Sequence, residues 1–324
     1  MKAYRLSETI DGPCGQLVDM DQSELTNGDT LIKIIYAGIN YKDALAGTGK
    51  APIARHLPIN AGIEAIGKIV ETSSDFFQSG DWVIAHGMGL GVERDGGLSE
   101  YVRCDASWLV ALPQGLKPKE AAILGVAGFS AALCVDRLEQ SGLLTDKGPI
   151  AVTGASGGVG SLAISMLSHQ GFNVTAISSK ENMDDHLHAL GASDVISSSV
   201  MQNKKVLEPG KWAAAIDTIG GDSLAWLIRS SLPDGIVISI GNAGGNEVNT
   251  NVIPFILRGI SLLGINANSP RPLRQRIWGR LANDLKPNNL DVISNEINLE
   301  DVTNIMELMI AGKTKGRYIV KISS

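Results

Sequence analysis

Three glycines carry the strongest chemical signal in this chain. Residues 152 to 160 read Val-Thr-Gly-Ala-Ser-Gly-Gly-Val-Gly, which sets Gly154, Gly157 and Gly160 in a GxxGxxG spacing. The apolar run Ile150 to Val152 precedes them, and an apolar stretch at helical spacing, Val159 to His169, follows. A strand that turns sharply into a helix leaves the first N–H groups of that helix without partners, and such groups attract an anion. Glycines also keep side chains clear of a pyrophosphate and let strand and helix approach closely. Gly154, Ser156, Gly157, Gly158, Val159 and Gly160 are therefore the candidates for holding a dinucleotide diphosphate, in the strand and helix context that this chemistry requires.

Two other chemistries would use the same residues. Gly154-x-Ser156-x-Gly158 fits the nucleophile elbow of a serine hydrolase. That reaction needs an acid and then a histidine further along. No His follows His188, and His169, His186 and His188 stand too close in sequence to Ser156 for a triad in that order. Thr153-Gly154-x-x-x-Gly158-x-Gly160 also fits the fingerprint of short-chain dehydrogenases, which place it near the N-terminus and rely on a downstream YxxxK. The only Tyr after Gly160 is Tyr318, and Ile322 stands where the lysine is needed. Both readings fail. The plainer alternative is a glycine turn that holds nothing.

The choice of nicotinamide cofactor turns on the next strand, Asn173 to Ile177, which ends in Ser178-Ser179-Lys180. An acidic residue at this place, roughly 20 positions past the glycines, binds the ribose 2′-OH of NAD. Here two hydroxyls and an ammonium precede Glu181, the first carboxylate, so the edge suits a 2′-phosphate. NADPH is the expected cofactor, against the alternative of a merely hydrophilic strand end.

These residues need elements to place them. From Pro149 the chain alternates strand and helix: strands at 150–152, 173–177, 194–196, 213–216, 236–240 and 261–265, helices at 159–169, 184–190 and 224–231. That order implies right-handed crossovers and a doubly wound parallel sheet, so the fold class is α/β. The first third is β-rich, with strands at 30–36, 66–70, 82–85, 101–104 and 108–111, and two helical stretches follow at 119–126 and 129–138. The last strand, 317–322, resembles the N-terminal part. The expected division is 1–124 with 293–324 as one domain and 125–292 as an inserted Rossmann-type domain.

Composition bounds the rest. The chain has 324 residues, 44% of them apolar, 19% charged, and a net charge of −6, which gives no general attraction to nucleic acid or anionic lipid. Cys14, Cys104 and Cys134 are scattered and odd in number, compatible with a reducing compartment. No signal peptide or uncharged apolar run of about 18 residues is evident, so the expected location is cytoplasmic and off the membrane.

Several segments in order resemble one family: Gly38 to Asp43 (GINYKD), Pro58 to Gly67 (PINAGIEAIG), Gly96 to Tyr101 (GGLSEY), Gly125 to Cys134 (GVAGFSAALC), Thr153 to Gly160, Ala215 to Gly220 (AIDTIG) and Pro254 to Arg258 (PFILR). Together they resemble the medium-chain dehydrogenases/reductases, in the quinone-oxidoreductase-like branch, and within it the acrylyl-CoA reductase (YhdH/YhfP-type) family. The resemblance spans nearly the whole chain and implies a β-rich GroES-like catalytic domain around the Rossmann unit, and a homodimer. Zinc-dependent relatives carry Cys and His where this chain has Asn40 and Ile63, and the surviving Glu64 alone cannot build a zinc site, which takes three protein ligands. No zinc is expected. Ser179 and Lys180 stand where relatives often have Gly and Arg, and Glu64 where close relatives usually have Asp.

The resemblance further implies hydride donation to an already activated acceptor. The expected reaction is NADPH-dependent reduction of acryloyl-CoA to propanoyl-CoA. Quinones or free enones are the alternative acceptors, and an NADPH-binding protein with little turnover is the alternative from another class. Asn40 and Tyr41 are the catalytic candidates, with Tyr41 also a cofactor contact, and Asp43 is expected to cap a short helix at 44–46. Asn242 and Ala243, after the strand 236–240, and Ile256 are expected along the nicotinamide half of the cofactor. Arg94 and Arg271 are candidate substrate contacts. Arg271, Arg274, Arg276 and Arg280 read either as phosphate ligands or, more plainly, as a solvated basic helix face.

Overall fold

The computed structural model describes residues 1–10, 12–202 and 205–323. Apolar residues alternating with polar ones lay down the first strands: β1 (Lys2–Ser7), β2 (Cys14–Asp19), β3 (Thr30–Ile39), β4 (Ile59–Asn60), β5 (Glu64–Thr72), β6 (Trp82–His86), β7 (Tyr101–Cys104) and β8 (Val110–Ala111), with helix α1 (Tyr41–Gly47) after β3. Helix α2 (Pro118–Gln140) follows. Then come β9 (Ile150–Thr153), α3 (Gly158–His169), β10 (Val174–Ser178), α4 (Asp184–Ala189), β11 (Asp194–Ser197), β12 (Trp212–Asp217), α5 (Gly221–Ser230), β13 (Ser231–Ser239), α6 (Ile253–Arg258) and β14 (Ser261–Gly264). The chain closes with α7 (Arg271–Leu281), α8 (Leu290–Ile293), β15 (Ser294–Asn298), α9 (Val302–Ile310) and β16 (Arg317–Lys321).

By compactness the chain divides into two units, 1–126 with 268–283 and 294–324, and 127–267 with 284–293. In the first, a mixed sheet runs β15-β16-β3-β5-β6-β8, with β7 also on β3, beside a small antiparallel sheet β2-β1-β4. The last strand of the chain pairs antiparallel with β3, Val320 opposite Ala37, so both ends of the sequence build one unit. Ile32, Ile34, Ile69, Val83 and Val102 form one core cluster and Tyr4, Leu6, Ile39, Val302 and Met306 another.

The second unit is a six-stranded parallel sheet in the order β11-β10-β9-β12-β13-β14. Every residue of β9 and β12 is buried, which is why these central strands read as unbroken apolar runs. The order reverses at β9, where β10 and β12 flank it on either side.

Two differences from the sequence reading, in the placing of residues 268–283 and in four unread strands, have physical causes. Residues 268–283, expected in the Rossmann unit, pack in the first unit, because Arg274, Ile277, Trp278 and Leu281 of α7 are buried there. The two helical stretches read after 117 are both present and abut at Gly125, whose φ of +49° and ψ of −153° are not helical and break α2 in two. That helix is long and apolar enough to cross a membrane by composition, yet its apolar window is 89% buried in the protein, as a core helix is. Strands β1, β2, β4 and β15 went unread: β4 has two residues and β15 (SNEIN) has one apolar side chain.

Candidate functional site

The glycine turn leaves β9 at Gly154, where φ is +57°. A Cβ on Gly154 would lie 2.2 Å from Thr218 Oγ1, and one on Gly160 would lie 2.4 Å from the Gly154 carbonyl oxygen and 2.9 Å from Ala155 Cα. Gly154 is thus favoured by its positive φ and by the Thr218 and Ile219 side chains against it, and Gly160 by close backbone packing, as the dinucleotide motif demands. Gly157 precedes α3 in extended conformation and offers no side-chain cap. The first bond of the helix is donated by Ser161 N–H to the Gly157 carbonyl, so the N–H groups of Gly158, Val159 and Gly160 come before it. Ser156 is buried beside them. The residues present fit a pyrophosphate: a turn in which four of seven residues, Gly154, Gly157, Gly158 and Gly160, have no Cβ, and a helix start that its N-cap Gly157 leaves without a side-chain cap.

A buried carboxylate holds this turn in place, and it was not singled out as a site residue beforehand. Asp217, at the end of β12, is fully buried and accepts hydrogen bonds from Thr153 Oγ1 at 2.7 Å, Ser223 Oγ at 2.9 Å and Gly220 N–H at 2.6 Å. Thr218 N–H donates to Thr153 Oγ1 at 3.1 Å, and Thr218 Oγ1 donates to the Thr153 carbonyl at 2.9 Å. The only sequence signal was the segment AIDTIG, whose Asp ends the strand after five apolar residues, Trp212 to Ile216. The same Thr218 meets the second loop: a Cβ on Gly241 would lie 2.1 Å from the Thr218 carbonyl oxygen, and Gly244 N–H donates to the Ile219 carbonyl at 2.7 Å. The glycine turn and the loop 241–245 are therefore brought together across Thr218 and Ile219.

At the end of β10, Ser178 is buried and its Oγ accepts from the Lys180 N–H at 3.1 Å, which folds the strand end back on itself. Ser179 is exposed and Lys180 half-buried. Burial lowers the Lys180 ammonium from its ordinary value. Asn242 and Ala243 are exposed, with Asn242 Nδ2 donating to Asn246 Oδ1 at 2.7 Å. Ile256 is exposed on α6, whereas Arg258 at the end of that helix donates to the carbonyls of Glu208, Arg229 and Ser231 and is tied into the scaffold.

In the first unit, Asn40 and Tyr41 lie where β3 gives way to α1, Asn40 as the N-cap and Tyr41 as the first helical residue. Asp43 caps this helix start from its third position, as the reciprocal partner of Asn40 in a capping box, and not from the N-cap position itself. It sits inside the helix, and its carboxylate accepts from the backbone N–H groups of Asn40 at 2.8 Å and Ile63 at 3.0 Å. Burial pushes Asp43 up to about 7; its two N–H partners pull it down and the Glu64 carboxylate raises it further. Arg317 joins the remaining groups: it donates to Asn40 Oδ1 at 3.0 Å, to the Ile39 carbonyl at 3.2 Å, to the Ile123 carbonyl at 3.1 Å and to Glu64 Oε1. Glu64 also accepts from Val126 N–H. Gly38 and Gly125 are glycines because a Cβ on either would strike this ion pair. Asn40 Nδ2 is buried and has no hydrogen-bond partner among the described residues. Arg317 was outside the expected site, since a lone Arg at the start of a terminal strand gives no motif.

Arg94 and Arg271 lie elsewhere in this unit, each over an aromatic ring. Arg274 is 2% exposed, so the expectation of a solvated basic face fails there: its guanidinium turns inward to the carbonyls of Trp108 and His86.

Comparison with known proteins fits this arrangement. The family description "Alcohol dehydrogenase GroES-like domain" matches residues 26–114, and "Zinc-binding dehydrogenase" matches residues 158–283. A Bacillus subtilis protein with the provisional name quinone oxidoreductase YhfP is 42% identical over 99% of this chain and 98% of its own. Its crystal structure with NAD bound matches with a TM-score of 0.94 over 99% of this chain and 98% of that one. Acrylyl-CoA reductase AcuI from Ruegeria pomeroyi is 34% identical over 93% of this chain and 92% of its own. The crystal structure of the yhdH oxidoreductase from Salmonella enterica in complex with NADP matches with a TM-score of 0.97 and 38% identity, covering 100% of both chains. The chain is an oxidoreductase of the medium-chain dehydrogenases/reductases and belongs to their quinone-oxidoreductase-like branch, in the YhdH/YhfP-type acrylyl-CoA reductase family.

Proposed function

We propose that this protein reduces the activated double bond of a 2-enoyl-CoA, acryloyl-CoA first, with NADPH as the hydride donor and without a metal ion. The observation that carries the reading is the glycine turn Gly154 to Gly160 at an uncapped helix start, in the same unit as a strand end whose sequence, Ser178-Ser179-Lys180, has two hydroxyls and an ammonium before the first carboxylate. Gly154, Ser156, Gly157, Gly158, Val159 and Gly160 would hold the pyrophosphate, and Ser178, Ser179 and Lys180 the 2′-phosphate. Asn242, Ala243 and Ile256 are assigned to the nicotinamide half, and Tyr41 to the same end of the cofactor.

NADPH, when bound, supplies the hydride that saturates the β-carbon, after which the α-carbon takes a proton and propanoyl-CoA leaves with NADP⁺ as the second product. The task for the chain is to hold negative charge on the thioester oxygen in between. Asn40 suits it: Arg317 fixes the amide oxygen at 3.0 Å, and the amide Nδ2 is a buried donor without a partner. A buried unpaired donor costs about 1–3 kcal/mol, which a substrate carbonyl would recover. Residue types argue against zinc. Asn40 and Ile63 are not zinc ligands, and the Glu64 carboxylate is engaged by Arg317 and Val126.

A second reading, reduction of quinones, is favoured by the name of the YhfP relative. Steady-state oxidation of NADPH with acryloyl-CoA against 1,4-benzoquinone decides between them. The proposal expects kcat/KM for acryloyl-CoA to exceed that for the quinone at least tenfold. Equal values, or turnover of the quinone alone, would remove it.

A further inference from the structure

Three arginines of the GroES-like unit have no carboxylate partner among the described residues, although the chain carries a net charge of −6. Arg94 lies over the Trp108 ring at 4.3 Å. Arg271 lies over Phe76 at 4.2 Å and Phe77 at 5.7 Å. Arg274, one helical turn after Arg271 on α7, links the two pairs by donating to the Trp108 carbonyl and, at 2.8 Å, to the His86 carbonyl. Those carbonyls engage both terminal nitrogens of Arg274, although its buried Nε has no partner among the described residues. Nothing comparable accounts for the others: Arg271 Nε is buried without a partner, and Arg94 has only a long bond of 3.4 Å to the Asn27 carbonyl, with its Nε also unpartnered. Asp105 feels the charge of Arg94 but lies beyond ion-pair distance.

Such a set is costly as mere scaffolding. Neighbouring guanidinium groups repel one another; burial, with the charge of Arg271 adding to it, brings Arg274 down to about 10. An anion would relieve that repulsion. A guanidinium laid on an aromatic ring keeps its N–H donors available in a fixed fork, the geometry that matches phosphate oxygens. Phe76 is 59% exposed beside Arg271 and offers a ring face on which a purine can stack.

We infer that this shelf of Phe76, Phe77, Arg271, Arg274, Trp108 and Arg94 binds the phosphorylated adenosine end of a CoA thioester, Arg271 and Arg94 taking phosphate and Phe76 the base. The identity of the ligand rests on the enoyl-CoA reading above, but the site is testable without it. Adenosine 3′,5′-bisphosphate is titrated by calorimetry into the full-length protein already saturated with NADP⁺, so that the dinucleotide cradle is filled. Binding is expected, weakened about tenfold by Arg271→Ala and measurably by Phe76→Ala, while inorganic phosphate at the same concentration gives no comparable heat. In parallel, Arg271→Ala is expected to raise KM for acryloyl-CoA about tenfold relative to KM for acryloyl-pantetheine, which lacks the nucleotide. No binding of the bisphosphate to the wild type, or equal binding to wild type and both variants, overturns the site even if acryloyl-CoA is reduced. Binding that depends on Arg271 upholds it even if acryloyl-CoA is not the physiological acceptor.

Discussion

In the proposed reading, Lys180 is the residue on which cofactor choice turns. It is half-buried just after β10, its backbone N–H donates to Ser178 Oγ at 3.1 Å, and in sequence it follows two serines with no carboxylate before Glu181. Replacing it by Ala should weaken NADPH about tenfold and NADH much less, the loss of one charge-assisted contact. Calorimetric titration of both cofactors checks this, and an equal loss for the two would deny Lys180 that role. Asp43 makes a different prediction, about stability. Its folded value of about 7 lies above the ordinary aspartate value of 3.8, so between them the native state keeps a proton that the unfolded chain has released. Its contribution is therefore fully present below pH ~4 and is lost as pH rises toward 7. Asp43→Asn abolishes this linkage. The margin in melting temperature by which the wild type exceeds the variant should narrow between pH 4.5 and 7.5; a constant or widening margin would show that Asp43 ionises normally.

At the scale of the element, the decisive junction is β9 into α3. Gly160→Ala puts a Cβ 2.4 Å from the Gly154 carbonyl oxygen, a backbone atom that cannot step aside cheaply. The helix must shift from the turn, at a cost of about 2 kcal/mol in stability and about tenfold in NADPH affinity. Thermal unfolding and titration together check both, and an unchanged melting temperature would mean that strand and helix do not pack as described. This junction was legible because its causes are local: an apolar strand, spaced glycines and an apolar helix within about 20 residues. Strand β10 and helix α5 were likewise readable from their own apolar patterns. What escaped reading was non-local. Asp217 matters because Thr153, Ser223 and Gly220 converge on it, and Arg317 because Asn40 and Glu64 do, across sequence separations of up to 277 residues. Arg274 looked like a surface residue because its side-chain type is usually solvated, and only the carbonyls of Trp108 and His86 make its burial tolerable.

For the whole molecule, the proposed reaction assigns the phosphorylated dinucleotide to the Rossmann unit and assigns hydrogen-bond donors, in place of metal ligands, to the GroES-like unit. Prolonged dialysis against a chelator should therefore leave acryloyl-CoA reduction intact, and a loss of rate restored by added zinc would overturn the metal-free reading. The most direct test of the central claim follows the hydride itself. NADPH carrying deuterium at C4, in the transferable position, is mixed with the enzyme and acryloyl-CoA in ordinary water, and the product is analysed by mass spectrometry and NMR. The account predicts propanoyl-CoA with one deuterium on the β-carbon and protium from solvent on the α-carbon. Deuterium on the α-carbon, or oxidation of NADPH without any propanoyl-CoA, would contradict it.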